Sequence, residues 1–258
     1  RSNILVVQIA VVCMAPIENG TEEENYDHYD INNSQVSLSI SVAAAAALLF
    51  NVPVVAAVNR LGIRTVFATL GLISGIATLF MPAAIKLGFY WLLVCRFFQG
   101  VGFAANFPVI GAFCAKWTYY KQVRTKRRKR TSSEWTGMFV SFLVAYVQLA
   151  PAVTDLVSGP LCSISWEAIF YAHGSLSIGL FLSYLAMYRN SPARHPFVGD
   201  VELSKISRNK AALDKKGTRI PYGAILLTPA VWAVWSGAIG NFFAVNLLFL
   251  YSPAYFSK

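Results

Sequence analysis

Charge is what this sequence has least of. Asp, Glu, Lys and Arg supply 13% of its 258 residues, against roughly 25% in an average soluble domain. Three windows, 36–58, 65–85 and 221–257, contain none of the four. Uncharged runs of that length exclude an ordinary soluble fold. The marks of catalysis are missing too. No glycine-rich phosphate loop is followed by Lys, no cluster has metal-ligand spacing, and no Ser, His and Asp fall into a nucleophile pattern. His173 and His195 stand isolated, so no enzyme, metal site or cofactor is expected. Of the four cysteines, Cys13, Cys95, Cys114 and Cys162, three sit inside apolar runs without redox spacing. They are expected to be small packing residues.

What the chain has instead is hydrophobic length. Crossing the hydrocarbon core takes about 20 apolar residues, and each crossing segment must be helical to satisfy its own backbone. The expected fold class is therefore an all-α, multi-pass integral membrane protein with the lipid bilayer as its surroundings. Seven segments qualify as candidates: 2–17, 36–58, 65–85, 90–115, 135–156, 168–189 and 223–250. The first is too short to span alone and opens on Arg1 without an initiator Met. It is expected to be the outer part of a clipped helix, the alternative being the apolar core of a signal peptide.

Orientation follows from where the basic residues lie. Of 22 Lys and Arg, 18 fall in the connections after the second, fourth and sixth segments. The positive-inside rule places those connections in the cytoplasm. The acidic first connection, "ENGTEEENYDHYD", then faces the outside or a lumen. The same loop holds two glycosylation sequons, at Asn19 within that stretch and Asn32 just after it, which fit the assignment. The same parity disfavours a seven-helix receptor, whose first connection would be cytoplasmic. The run "KRRKR" within 123–135 suits anionic headgroups, at about 1 kcal/mol per basic residue. In a multi-span chain it is not expected to bind nucleic acid.

Within the fourth segment, Trp91 to Ala115, the single charge is Arg96. An Arg near the centre of a span costs about 2.5–3.5 kcal/mol on insertion scales, so it normally faces a bundle interior or a wet cavity. Arg96 lies about 8 Å below the outer end at 1.5 Å per residue. Two ordinary readings are open at that depth: snorkelling to the interface, or pairing with Asp155 near the outer end of the fifth segment. A third is functional. Gln99 and Asn106 share a stripe within roughly 80° of Arg96, while Gly100, Gly102, Ala104 and Ala105 keep the helix thin. A planar guanidinium with amide neighbours suits a carboxylate or phosphate, which it grips at two points. His173 and Asp155 are the titratable candidates for coupling to a proton. Asn241 and Asn246 are polar positions in the seventh segment.

Four stretches resemble a known family. "VNRLGIR" lies where the major facilitator superfamily carries Gly-x-x-x-Asp-Arg-x-Gly-Arg-Arg; Arg60, Gly62 and Arg64 match, Asn59 replaces the Asp and Val55 the first Gly. "CRFFQGVGFAANFPVIGAFCAKW" looks like helix 4 of that superfamily's anion–cation symporter branch. "NSPARHPFV" and "SPAYF" resemble segments after helices 6 and 7 there. The branch includes vesicular glutamate transporters, sialin and sodium–phosphate cotransporters. The resemblance implies a twelve-helix major facilitator fold, of which this chain would be a fragment. Residues 1–189 would form the N-terminal six-helix half, 190–222 the cytoplasmic linker, and 223–258 the start of the second half. It further implies alternating-access transport of a small anion, driven by a proton or sodium gradient, in the plasma membrane or an internal vesicle. Arg96 and Arg1, the latter in "RSN", would line the anion site. Branch members coupled to protons carry a Glu seven residues after the helix 4 Arg; here that position is Phe103. A truncated chain that acts only by binding a partner is the alternative.

Overall fold

The computed structural model describes residues 2–14, 33–117, 145–191 and 226–256, with single positions 141, 199, 204 and 223. Arg1, the sequon asparagines Asn19 and Asn32, the acidic connection, the basic run 123–135 and most of 190–222 lie outside the described residues.

Regular structure among the described residues is helical throughout. In chain order the helices are α1 (Ser2–Met14), α2 (Asn33–Leu61), α3 (Ile63–Leu79), α4 (Met81–Leu87), α5 (Phe89–Ala104), α6 (Asn106–Trp117), α7 (Tyr146–Cys162), α8 (Trp166–Met187) and α9 (Pro229–Phe256). One expected span is broken at a proline, and a second is interrupted ahead of one while remaining a single span, Phe89–Trp117. Pro82 has no N–H and its ring crowds the carbonyl four residues back. The third segment accordingly bends by 50° between α3 and α4. Pro108 stands in the same relation to Ala104, where α5 ends and α6 follows one residue later. The fifth segment runs on to Cys162, past the expected end at 156, because Gly159 and Pro160 are accommodated inside α7. At the start of α8, Ser165 caps the helix: its hydroxyl accepts from the backbone N–H of Ala168 at 3.1 Å.

Packing follows small residues. α2 lies along α5 so closely that a Cβ on Gly100 would meet the backbone oxygen of Ala43 at 2.2 Å. α3 packs on α8 and on α5, and α1 sits against α7 and α8. With Val6 and Ala10 fully buried, α1 is packed into the bundle as one of its helices. Two apolar clusters result. One gathers Val6, Val7, Met81, Leu92, Ile169 and Phe170; the other gathers Val54, Val58, Ile63, Val66, Ala105 and Val109. Along α1, α3, α5 and α8, the positions next to the first cluster are polar: Asn3, Ser74, Thr78, Arg96, Gln99, His173 and Ser177.

Contacts at helix ends fit the alternation of passes. Cys13 at the end of α1 is disulfide-bonded to Cys162 at the end of α7, Cα to Cα 5.8 Å. This corrects the reading of these two as packing residues. They are 149 positions apart, and only the parallel course of the first and fifth passes brings them together. Cys95 and Cys114 are half-buried thiols outside the disulfide. At the same end Lys86 pairs with Glu167 at 2.5 Å. Large apolar side chains such as Leu48, Leu49, Val52 and Leu180 point outward, an arrangement that fits a lipid surrounding.

Candidate functional site

Among the described residues Arg96 is the largest fully buried side chain, with 0% exposure. It does not snorkel. Nor does it pair with Asp155, which is exposed on α7; none of the described residues forms an ion pair with Arg96. The reason is rotational. Thr154 and Ser158 occupy the buried face of α7, which turns Asp155 outward.

Its Nη1 donates to the carbonyl of Ile4 at 2.9 Å and to Gln99 Oε1 at 3.1 Å. Ile4 belongs to α1, so the guanidinium bridges two helices. Gln99 in turn donates from Nε2 to Thr78 Oγ1 at 2.9 Å, and the Thr78 hydroxyl donates to the Ser74 carbonyl at 2.8 Å. A second branch joins the same layer: Ser177 Oγ donates to Asn3 Oδ1 at 2.8 Å, and Asn3 Nδ2 to Ser74 Oγ at 3.4 Å. Side chains of α1, α3, α5 and α8 thus meet in one polar sheet inside an apolar bundle.

Two donors of Arg96, Nε and Nη2, have no hydrogen-bond partner among the described residues. They form one edge of the planar fork, the edge that matches two oxygens of a carboxylate or phosphate. Buried polar groups are nearly always partnered. Leaving a buried donor bare costs about 1–3 kcal/mol, and more when it is charged. An oxyanion can satisfy both donors and neutralise the charge.

The other expected site residues separate into groups. Gln99 is at the centre. Asn106 is half-buried at the start of α6, beyond the break, and no described hydrogen bond joins it to Arg96. His173 is 3% exposed, with Nε2 3.1 Å from Ser158 Oγ. Phe103 is half-buried. Asn241 is exposed, and the side chain of Asn246 lies outside the described residues. Thr78, Asn3, Ser74 and Ser177 were missed. Ser and Thr in apolar helices usually bond their own backbone, and only contacts between helices set these four apart.

At the opposite end from the disulfide, the connection "NRLGIR" closes on the end of α8. Gly62 has φ +87° and lies so close to Asn190 that an added Cβ would meet Nδ2 at 2.5 Å. Asn190 Oδ1 accepts from the backbone N–H of Arg64 at 2.8 Å. Arg64 Nε and Nη2 both donate to the Leu185 carbonyl, at 2.9 and 2.6 Å. A cation on the last carbonyls of a helix satisfies orphan acceptors and the helix dipole together. Asn59 and Arg60 stay exposed at the end of α2.

The family model described as Major Facilitator Superfamily matches residues 21–258. The chain belongs to the major facilitator superfamily. Its fold is that family's, in line with the parity argument against a seven-helix receptor. A protein named "Probable anion transporter 1, chloroplastic" from Oryza sativa subsp. japonica is 28% identical over 185 residues, 71% of this chain and 32% of the relative. "Sodium-dependent phosphate transport protein 1" of Homo sapiens is 26% identical over 192 residues, 72% and 38% respectively. "Ascorbate transporter, chloroplastic" of Arabidopsis thaliana is 27% identical over 184 residues, 70% and 31%. The likeness is to the anion–cation symporter branch, whose members are transporters rather than enzymes. The chain spans about a third of the length of these relatives.

Proposed function

We propose that the protein carrying this chain moves small organic or inorganic anions across a membrane by alternating access, with Arg96 as the main anion contact. The observation that carries this reading is the bare Nε/Nη2 edge of a fully buried arginine that no described carboxylate neutralises. The names of the relatives, which mention phosphate and ascorbate and, for a 25% identical Mus musculus protein, urate, support the same substrate class. Burial adds a mechanical requirement. An anion reaches Arg96 only when neighbouring helices part, as in a carrier whose site near the midplane is exposed to each side in turn.

In this proposal residues 1–189 form the first six-helix half, 190–222 the linker, and 223–258 the opening of the second half. Gln99 positions Arg96, Asn106 lies further along the same path, and Arg1 is a second anion contact. Coupling is to sodium or a proton. A sodium-dependent relative supports the first. For the second, His173 is better placed than Asp155, being buried against Ser158 while the carboxylate is exposed. The membrane is the plasma membrane or that of an internal vesicle or organelle.

Uptake of labelled phosphate, ascorbate and urate into cells expressing the protein tests the reading. Arg96→Gln, at unchanged surface amount, is expected to abolish uptake. Wild-type uptake by that variant would remove Arg96 from the site. Replacing external sodium, then collapsing the pH gradient, identifies the coupling ion.

A further inference from the structure

We infer that Thr78 is a positioning residue for the anion site, acting through Gln99 on Arg96. The inference rests on the reading of Arg96 as the anion contact and goes beyond it, because Thr78 lies on a different helix and does not touch the guanidinium.

The argument is one of hydrogen-bond direction. A threonine hydroxyl has one proton to donate, and that of Thr78 goes to the Ser74 carbonyl, 2.8 Å away. Its oxygen is left to accept, and it accepts from Gln99 Nε2 at 2.9 Å. A glutamine amide has a donor end and an acceptor end. With Nε2 held by Thr78, Oε1 must turn the other way, toward Arg96 Nη1 at 3.1 Å. A permanently charged guanidinium needs an acceptor there, so the orientation imposed by Thr78 is the one the cation requires. Nη1 is then held by Gln99 and by the Ile4 carbonyl together. With that corner fixed, the planar group presents Nε and Nη2 as its free edge. All three side chains are fully buried, so water does not take over the role of a missing partner.

Thr78 also sits two residues before the break at Phe80, where α3 turns by 50° into α4. The hydroxyl proton given to Ser74 lies in the last turn of α3, next to the bend that Pro82 imposes. Through this side chain α3 bears on the anion site.

The test uses the protein as expressed in membranes and whichever of phosphate, ascorbate and urate the wild type takes up. Thr78→Val keeps the shape and removes the hydroxyl, leaving the Gln99 amide free to turn its NH2 group toward a cation. The expected result is a half-saturation concentration raised about tenfold or more, as for loss of a hydrogen bond on a charged group. Maximal rate and surface amount should stay near wild type. Thr78→Ser restores the hydroxyl and should restore the wild-type half-saturation. Gln99→Glu places a carboxylate against Nη1 that competes with the substrate, and it should raise half-saturation further than Thr78→Val. A Thr78→Val protein with wild-type half-saturation would overturn the inference. So would a Thr78→Ser protein as impaired as the valine variant, since that marks a packing effect. Arg96→Gln separates the two claims. If it abolishes uptake while Thr78→Val leaves half-saturation unchanged, only the positioning role fails; if it transports normally, the anion contact fails too.

Discussion

Replacing Gly100 with Ala adds one methyl group, and the packing of α2 on α5 decides what it does. The added Cβ would lie 2.2 Å from the backbone oxygen of Ala43 and 2.9 Å from the Ala46 side chain. Real Cβ contacts are essentially never under 3.0 Å, so the helices must part by at least about 0.8 Å. The obstacle is backbone in the middle of a helix, which no rotamer change relieves. A gap of 0.5–1 Å forfeits about a quarter to a half of the dispersion energy at each contact it opens. Overpacking of this kind costs about 1–3 kcal/mol, and a rigid backbone neighbour places Gly100→Ala at the upper end. On the scale of roughly 2–4 °C per kcal/mol for a chain of this size, the apparent melting temperature falls by about 5 °C or more. Gly111 provides the matched control. It lies on α6, where an added methyl group would meet nothing within 4 Å, and Ala there gains helix propensity of up to about 1 kcal/mol. The assay is thermal unfolding of both purified variants in the same detergent. If Gly100→Ala and Gly111→Ala shift the melting temperature alike, the close α2–α5 contact is refuted.

Further outcomes follow from the two ends of the bundle. Two of the four cysteines, Cys13 and Cys162, should resist a thiol reagent in denaturant until a reductant is added, whereas Cys95 and Cys114 react at once. Because the bond closes a long loop, Cys13→Ser should lose on the order of 2–4 kcal/mol, and adding Cys162→Ser should change little more; additive losses would contradict the pairing. At the other end, Asn190→Ala removes the acceptor for the Arg64 backbone N–H and should lower stability by about 1 kcal/mol, measured by the same thermal assay. Gly62→Ala should be worse than Asn190→Ala, since it meets both a positive φ and the Asn190 side chain. The reverse order would contradict the turn geometry.

How much of this was legible in the sequence depends on the range of the interaction. Charge-free runs disclosed the passes, since lipid burial leaves a continuous local signature. Pro82 and Pro108 mark the bend at Phe80 and the interruption at Ala105, yet both spans were expected unbroken, because a proline does not say whether a helix kinks, ends or runs on. Arg96 and Gln99 could be placed on one stripe because helical phase is local. Asn106 is on the same stripe by phase, yet it begins a new helix past a break, and no described hydrogen bond ties it to the site. The partners of the site are on other helices. Ile4 contributes only a carbonyl, which any residue has, and Thr78 looks like any membrane threonine that bonds its own turn. The disulfide was hidden for a related reason: nothing local pairs Cys13, inside an apolar run, with Cys162, 149 positions away. Asp155 was readable as titratable but not as outward-facing, because that depends on which face of α7 packs.

The most direct test of the account is equilibrium binding of labelled phosphate, ascorbate and urate to purified protein, wild type against Arg96→Gln and Arg96→Lys. The account predicts saturable binding of at least one of these anions by wild type. It predicts loss of that binding in Arg96→Gln, and a weakened but measurable affinity in Arg96→Lys, which keeps the charge but lacks the two-point edge. Binding by Arg96→Gln equal to wild type, or no binding of any of the three anions by wild type, would contradict it.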